Sequence, residues 1–495
     1  MTKRIQYRNA ISIQSLKLGS AVLCVLLTGS VGQAQQTLDR SKVPAAGKTP
    51  VLRVPAWTRS SLANGADLVV SEKHDLPLVS FTITFQGGAS QFEPAARRGL
   101  AGLTAQMMSE GTTTRDGEAL SNALQLLGTS VAVAVGSESG SIGFQSTTSK
   151  FPQTLDVLAD MLVHSTFPAD ALERLRAQRL VALEQAKTQP AAIAARVYPR
   201  ILYGDAHPFG QSASESSIKA ITRDDAIAFH KDYFQPGRAL VTVVGDVNAS
   251  AVKEVIDRAF SGWPRSGEKH SFSYTALPPG HTPAIYLVDK AGAAQSTFAI
   301  GNPGPPRNTP AYYALQVMNT ILGGMFQSRL NANIREEKGY SYGVSSSFAF
   351  GKGPGAFRAG GDIVSGKTDA ALIEFMKELR GIAGARPVTD EELATAKDSL
   401  IQRLPATFAS VQSINGAITA LWTQGLPDDY YQQYSARIAG ITKEDVLRAA
   451  QQYIDLDHLT IVIVGDRASI EGPLKAAGIA PITLVDIEGK IGASQ

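Results

Sequence analysis

Residues 222–246 read TRDDAIAFHKDYFQPGRALVTVVGD, and 220 residues further on, without a gap, residues 442–466 read TKEDVLRAAQQYIDLDHLTIVIVGD. Thr222, Asp225, Tyr233, Gly245 and Asp246 meet Thr442, Asp445, Tyr453, Gly465 and Asp466. Each copy predicts a helix with threonine at its N-cap, a turn, and an apolar strand that ends in Gly-Asp. A repeat of this length far exceeds one solenoid unit, so it predicts two similar domains.

The rest of the 495 residues arrange themselves around that repeat. PRSGEKHSFSYTALPPGHTP, residues 264–283, is polar and rich in Pro, Gly and Ser, and is the natural linker. The expected domains are therefore 61–263 and 284–495, after a polar lead-in at 35–60. Within them, strand-like runs such as LVSFTITFQGG and STFAIGNPG alternate with helix-like runs such as ADALERLRAQRLVALEQAK and DEELATAKDSLIQRL. Mixed order, with a hairpin signal at Asn64-Gly65, predicts α+β layers rather than a doubly wound parallel sheet.

The first 34 residues carry Lys3, Arg4, Arg8 and Lys17 with no acid, then the apolar run AVLCVLLTGSVG, then small residues up to Ala34. This pattern reads as a secretory signal peptide. Cys24, the single cysteine, lies inside it, so the mature chain has no disulfide, thiolate nucleophile or cysteine metal site. Loss of those four cations takes the formal charge from +3 to −1, which argues against nucleic acid as a partner. No later stretch approaches about 18 uninterrupted apolar residues, so no membrane span is expected after signal cleavage, and the expected location is the periplasm or the exterior.

Four groups of residues bear on chemistry. His74, His164, His207, His230, His270, His281 and His458 include no pair at i, i+3 or i, i+4, so no local metal site is indicated. Gly339-Tyr340-Ser341-Tyr342-Gly343 fits the G-x-S-x-G elbow of serine hydrolases, but the elbow needs a strand before it and a helix after it. Here a helix ends at Gly339 and a strand follows, which is the reverse. Arg335 in the last turn of that helix and Tyr342 early in the strand can together donate hydrogen bonds to a peptide carbonyl. Their plain structural alternative is that Arg335 complements the helix dipole and Tyr342 packs on a sheet. Glu184, near the end of its helix, reads on its own as a solvated acid.

One more stretch stands out: GLAGLTAQMMSEGT, residues 99–112. As a helix it buries Leu100, Leu103 and Met107 at i, i+3 and i+7, while Gly102, Ala105 and Gln106 share another face with the spacing of a zinc-binding His-x-x-Glu-His helix.

With LANGADLVVSEKHDLPLVSFTITFQGGAS (62–90), DKAGAAQSTFAIGNPGPPRNTPAYYALQVMNTILGG (289–324) and SRLNANIREEKGYSYGVSSSF (328–348), this helix resembles the pitrilysin/insulinase family of zinc metallopeptidases in its short, two-domain bacterial form. The resemblance runs from about Leu62 to about Ala468. Catalytic members carry a helix similar to GLAHFLEHMLFKGT, in which two histidines bind zinc and a glutamate is the general base. Here Gly102 and Gln106 stand at the histidine positions and Ala105 at the glutamate position. The third ligand, a glutamate some seventy-odd residues on, would fall at or beside Glu184, with Gln185 fitting about as well.

By the same resemblance, Arg335 and Tyr342 match the arginine and tyrosine that hold the substrate backbone beside the zinc. The resemblance thus implies a zinc-lacking subunit of a heterodimeric peptidase. No cofactor is expected in this chain, zinc is expected in a homologous partner subunit, and the substrate is an unfolded peptide. The alternative of a different class is a non-enzymatic peptide-binding or scaffolding protein of the same fold.

Overall fold

The computed structural model describes residues 52–266, 272–278, 280 and 282–492. The expected signal peptide with Cys24, the lead-in up to residue 51, and linker residues 267–271, 279 and 281, which include His270 and His281, lie outside the described residues.

Among the described residues, twelve strands form two sheets. The first contains β1 (Thr58–Ser61), β2 (Asp67–Glu72), β3 (Leu78–Gln86), β4 (Ala132–Val135), β5 (Ser139–Thr147) and β6 (Ala239–Gly245). The second contains β7 (Ala284–Asp289), β8 (Gln295–Pro303), β9 (Ser341–Phe348), β10 (Ala356–Val364), β11 (Thr460–Gly465) and β12 (Ile482–Val485). Their spatial orders are β1-β2-β6-β3-β5-β4 and β12-β7-β11-β8-β10-β9. Without β1 and β12 the two orders are the same, and the repeated strands β6 and β11 hold the same place in each. β6 runs parallel to β2 and antiparallel to β3, and β11 runs parallel to β7 and antiparallel to β8. β1 and β2 form a hairpin across Asn64-Gly65, with Gly65 at φ 97°. The fold is two mixed α/β units whose sheets are flanked by helices, as the alternating sequence pattern implies.

Among the flanking helices are α1 (Leu100–Met107), α2 (Ala169–Ala186), α3 (Pro190–Tyr203) and α4 (Arg223–Tyr233) from the first half, and α5 (Thr368–Arg380), α6 (Val411–Gln424) and α7 (Lys443–Tyr453) from the second. The repeat supplies α4 with β6 and α7 with β11. Both helices start with a capping box. Thr222 Oγ1 accepts the Asp225 amide hydrogen at 3.1 Å while the Asp225 carboxylate accepts that of Thr222 at 2.8 Å. The Thr442–Asp445 pair repeats this at 3.2 and 2.9 Å.

β6 and β11 are buried along their whole length, which explains why each reads as an unbroken apolar run rather than an alternating one. One face of each strand packs into the core of its own half: Val241 and Val243 lie with Phe81, Leu103 and Phe229, and Ile461 and Ile463 lie with Phe298, Leu372 and Val446. The other face is covered by a helix from the opposite half. α6 lays Val411, Ile414 and Ile418 on Leu240 and Val244, and α3 lays Ile193, Ala194 and Val197 on Val462 and Val464.

Polar bonds fix both crossings. Asn415 Nδ2 donates to the carbonyls of Ser80 and Thr242 at 3.2 and 3.1 Å, and Tyr198 Oη donates to that of Phe357 at 2.8 Å. A Cβ on Gly301 would stand 2.4 Å from Tyr198 Oη, so that crossing requires glycine. The sheets thus follow the order of the two halves, and the helices α3 and α6 are exchanged between them.

His230 on α4 gives the first half a pH dependence. Its Nε2–H donates to the Leu162 carbonyl at 2.9 Å, and its ring lies 5.2 Å from those of Phe167 and Phe234. Burial pushes its pKa below the ordinary value, and the bond to Leu162 offsets only part of that. The unfolded chain therefore takes up a proton before the folded one as the pH drops. Stability is full above about pH 6.5 and falls as the pH decreases towards the depressed folded value. Urea midpoints at about pH 7 and about pH 5.5 should separate in the native chain and separate less in His230→Gln. An equal separation in both would contradict this role.

No helix among the described residues is long and apolar enough to cross a membrane.

Candidate functional site

Helix α1 is set before its face is considered. Gly99, at φ 101°, turns the chain into it, and Glu93 Oε1 accepts the amide hydrogen of Ala101 at 2.6 Å. Burial raises the Glu93 pKa, and the amides of Ala101 and Gly99 together with the Arg98 guanidinium counter that only in part. Leu100, Leu103 and Met107 are all core residues. The helix packs against α2 and against β4, an edge strand of the first sheet.

Of the three positions that match the metal motif, Gln106 is exposed, Gly102 is half-buried and Ala105 is buried. The i, i+3, i+4 spacing puts all three on one face, and in the fold that face is covered in part, over Ala105 most completely. The side chain that meets Gly102 and Gln106 is Arg179 of α2. Its Nε donates to Gln106 Oε1 at 3.2 Å, and a Cβ on Gly102 would lie 3.1 Å from its Nη2. Glycine thus leaves room for a guanidinium to lie across the positions from which ligands would project. Glu184, on the same helix, accepts from Lys187 Nζ at 2.6 Å, and its side chain is 61% exposed.

These residues do not fit a zinc ion. Gly102 and Ala105 have no donor atom, the amide oxygen of Gln106 is a weak ligand already engaged by Arg179, and a fixed cation lies where a dication would bind. Among the described residues no group of three or more His, Cys, Asp or Glu is placed to hold a metal. Sequence reading missed Arg179. The signal was present, since it lies 73 residues after Gln106, within the spacing that points to the third ligand.

The second candidate, in the other half, is a platform. Residues Asn331–Glu337 form a π-helical turn that ends at Gly339, whose φ is 66°. Tyr340 N–H closes back on the Ile334 carbonyl at 2.9 Å. Arg335 lies in the last turn, as expected, with its Cζ 4.2 Å from the Phe326 ring centroid and an Nη1 3.3 Å from Glu336 Oε1. The chain then enters β9, an edge strand of the second sheet, where Tyr342 is the second residue.

Asn331 ties the two elements together. Its Oδ1 accepts the amide hydrogen of Val344 at 3.0 Å, satisfying a buried strand donor from the helix side. Asn333 donates to Glu374 and Glu378 of α5, both at 2.8 Å. Arg329, just before the turn, is 6% exposed and makes a fork with Glu392 at 2.6 and 2.7 Å. The loops and turns around Arg335 are therefore held from three sides, while Tyr342 is 94% exposed. The packing alternative for Tyr342 does not describe this strand.

Ser341 does not stand in a nucleophile elbow. Its Oγ donates to the carbonyl of Asp362 at 2.7 Å and accepts the amide hydrogen of Gly343 at 3.1 Å, and it opens a strand that follows a helix. That is the reverse of the elbow order.

Comparison with known proteins places both candidates in one family. The profile described as insulinase (peptidase family M16) matches residues 68–207, and that of the peptidase M16 inactive domain matches residues 220–400. An uncharacterized zinc protease, YmxG, of Bacillus subtilis is 24% identical over 357 residues, 72% of this chain and 85% of that protein. A non-peptidase homolog, YmxG, of Helicobacter pylori is 23% identical over 403 residues, 81% of this chain and 92% of that one. The crystal structure of a peptidase M16 inactive domain from Pseudomonas fluorescens matches with a TM-score of 0.76 at 26% identity, over 83% of this chain and 98% of the other.

Proposed function

The chain belongs to the insulinase family, peptidase family M16, and from that membership and its own side chains we propose that it is the zinc-lacking subunit of a two-subunit peptidase. In this reading a homologous partner carries the zinc, and this chain supplies Arg335 and Tyr342 to hold an unfolded peptide substrate by its backbone beside that metal. The subunit has no catalysis of its own, since Ala105 cannot act as a base and Gly102 and Gln106 cannot hold a zinc ion.

The observation that carries the reading is the contrast between the two candidates. The metal position is filled by a guanidinium, whereas the platform is kept: the turn that carries Arg335 is tied to β9 through Asn331, and Tyr342 is left 94% exposed on that edge strand. A phenol and a guanidinium at the start of an edge strand suit an extended peptide, whose carbonyls accept from both while its backbone lies along the strand. The partner's zinc-bound water would then attack a carbonyl held in place, which is where orientation lowers the barrier. The signal-like leader supports the periplasm or the exterior as the location of this chemistry.

A second reading, peptide capture or scaffolding without cleavage, is favoured by the Helicobacter pylori relative that is named a non-peptidase homolog. Co-purification of the tagged mature chain from its native periplasm, with mass spectrometry of bound proteins, separates the two. A stoichiometric homologue with an intact His-x-x-Glu-His helix supports the peptidase subunit; a chain that returns without one contradicts it and favours capture or scaffolding.

A further inference from the structure

α2 carries three arginines, and they differ in how they are neutralised. Arg174 pairs with Glu110, and Arg176 pairs with Glu173 at 2.6 Å. Arg179 has no acid: its one hydrogen bond among the described residues is from Nε to the neutral amide oxygen of Gln106, and its Nη groups have no hydrogen-bond or ion-pair partner there. Gln106 therefore fixes the guanidinium by one edge and leaves the other edge, with its two parallel N–H directions, to whatever enters the face of α1. The guanidinium lies against Gly102, whose missing side chain lets it approach the helix.

We propose that Arg179 has turned the vacated metal position into a carboxylate site, at which the guanidinium receives a carboxylate of the bound peptide in a two-pronged hydrogen bond. The donor set has changed from one that binds a cation to one that binds an anion. Arg is suited to this exchange because its planar fork matches a carboxylate, stays charged at every relevant pH, and needs only one neighbour, Gln106, to orient it. β4 and α1 stand side by side, so a peptide running along that edge of the sheet passes the site. The proposal rests on the peptide-binding reading above and adds to it which end or side chain of the peptide is recognised.

The carboxylate could be the peptide's C-terminus or an Asp or Glu side chain, and the test separates them. Fluorescein-labelled flexible peptides of one sequence are titrated into the full mature chain by anisotropy. One ends in a free acid, one in an amide, and one in an amide with an internal Gln replaced by Glu. The same series is run on Arg179→Gln, whose side chain lies on a half-buried helix face rather than in the core.

The native chain should bind a carboxylate-bearing peptide about fivefold tighter than the plain amide, the size of a solvent-facing ion pair, and Arg179→Gln should bind all of them alike. Preference for the free acid identifies the C-terminus, and preference for the internal Glu identifies a side chain. Equal binding by the native chain, or a preference that survives Arg179→Gln, overturns the carboxylate site and leaves peptide binding intact. No binding of any peptide by the native chain overturns both.

Discussion

If the chain is the substrate-holding subunit of a two-subunit peptidase as proposed, Arg335→Ala should lower the turnover of the pair by about 10²–10³-fold and leave the two subunits associated, because it would remove a donor to the scissile carbonyl and nothing that builds the fold. Among the described residues Arg335 makes no buried ion pair: it meets the ring of Phe326, itself 62% exposed, and the adjacent Glu336. Its loss should therefore leave the unfolding midpoint nearly unchanged while the rate falls. Arg335→Lys should recover little, since an ammonium cannot reproduce the fork of donors. Tyr342→Phe, which removes one hydroxyl from an exposed ring, should cost less than Arg335→Ala. Turnover is measured with this subunit in excess, so that assembly does not limit the rate. An unchanged rate for Arg335→Ala contradicts the role given to it.

Arg329→Ala has the largest expected effect on stability, a loss of about 3 kcal/mol. The native guanidinium is 6% exposed and donates to both oxygens of Glu392 and to the carbonyls of Arg386 and Pro387. Alanine leaves those acceptors without their donor inside the fold, which costs more than the pair is worth against water. The figure sits at the low end of buried pairs because the Glu392 side chain is 29% exposed and reaches solvent. Burial acts to raise the Glu392 pKa, but the bonds from Arg329 and the Thr389 amide outweigh it and hold the carboxyl below its ordinary value. The stabilisation is therefore present above the ordinary glutamate pKa and is lost as the pH falls through the depressed folded value. Urea unfolding at neutral pH measures the loss; a change below about 1 kcal/mol would contradict it. Since Arg329 precedes the π-helical turn that carries Arg335, the same variant should weaken the platform as well.

The two sheets could be read from the repeat because its cues are local. Thr222 and Thr442 cap helices with neighbours three residues away, and the strands that follow are apolar on both faces, so two buried strands and two helices could be placed by number. What covers the second face of those strands was not legible. The apolar stripes of α3 and α6 say that each helix packs on something, but a stripe has no address. Asn415 bonds to Ser80 across 335 residues, a pairing that no window of sequence contains.

The candidate sites divide in the same way. Arg335 and Tyr342 are close in sequence and bracket a glycine stop, so their approach to one end of a strand follows from the turn. The burial of Ala105 depends on what packs on α1, which spacing alone does not report. Arg179 was hidden for a different reason: a long guanidinium works a turn or more from its own Cα, so position on the helix does not say where its charge acts. The π-helical winding at Asn331–Glu337 likewise leaves no trace in apolar spacing, although it sets the direction in which Arg335 points.

The most direct measurement is peptide cleavage by three preparations at equal concentration: this chain alone, its zinc-bearing homologue alone, and the two together. If this chain supplies the substrate-holding pair and its partner the metal, cleavage appears only in the mixture and is lost when zinc is chelated. Full activity of the homologue alone, or cleavage by this chain alone, would contradict it.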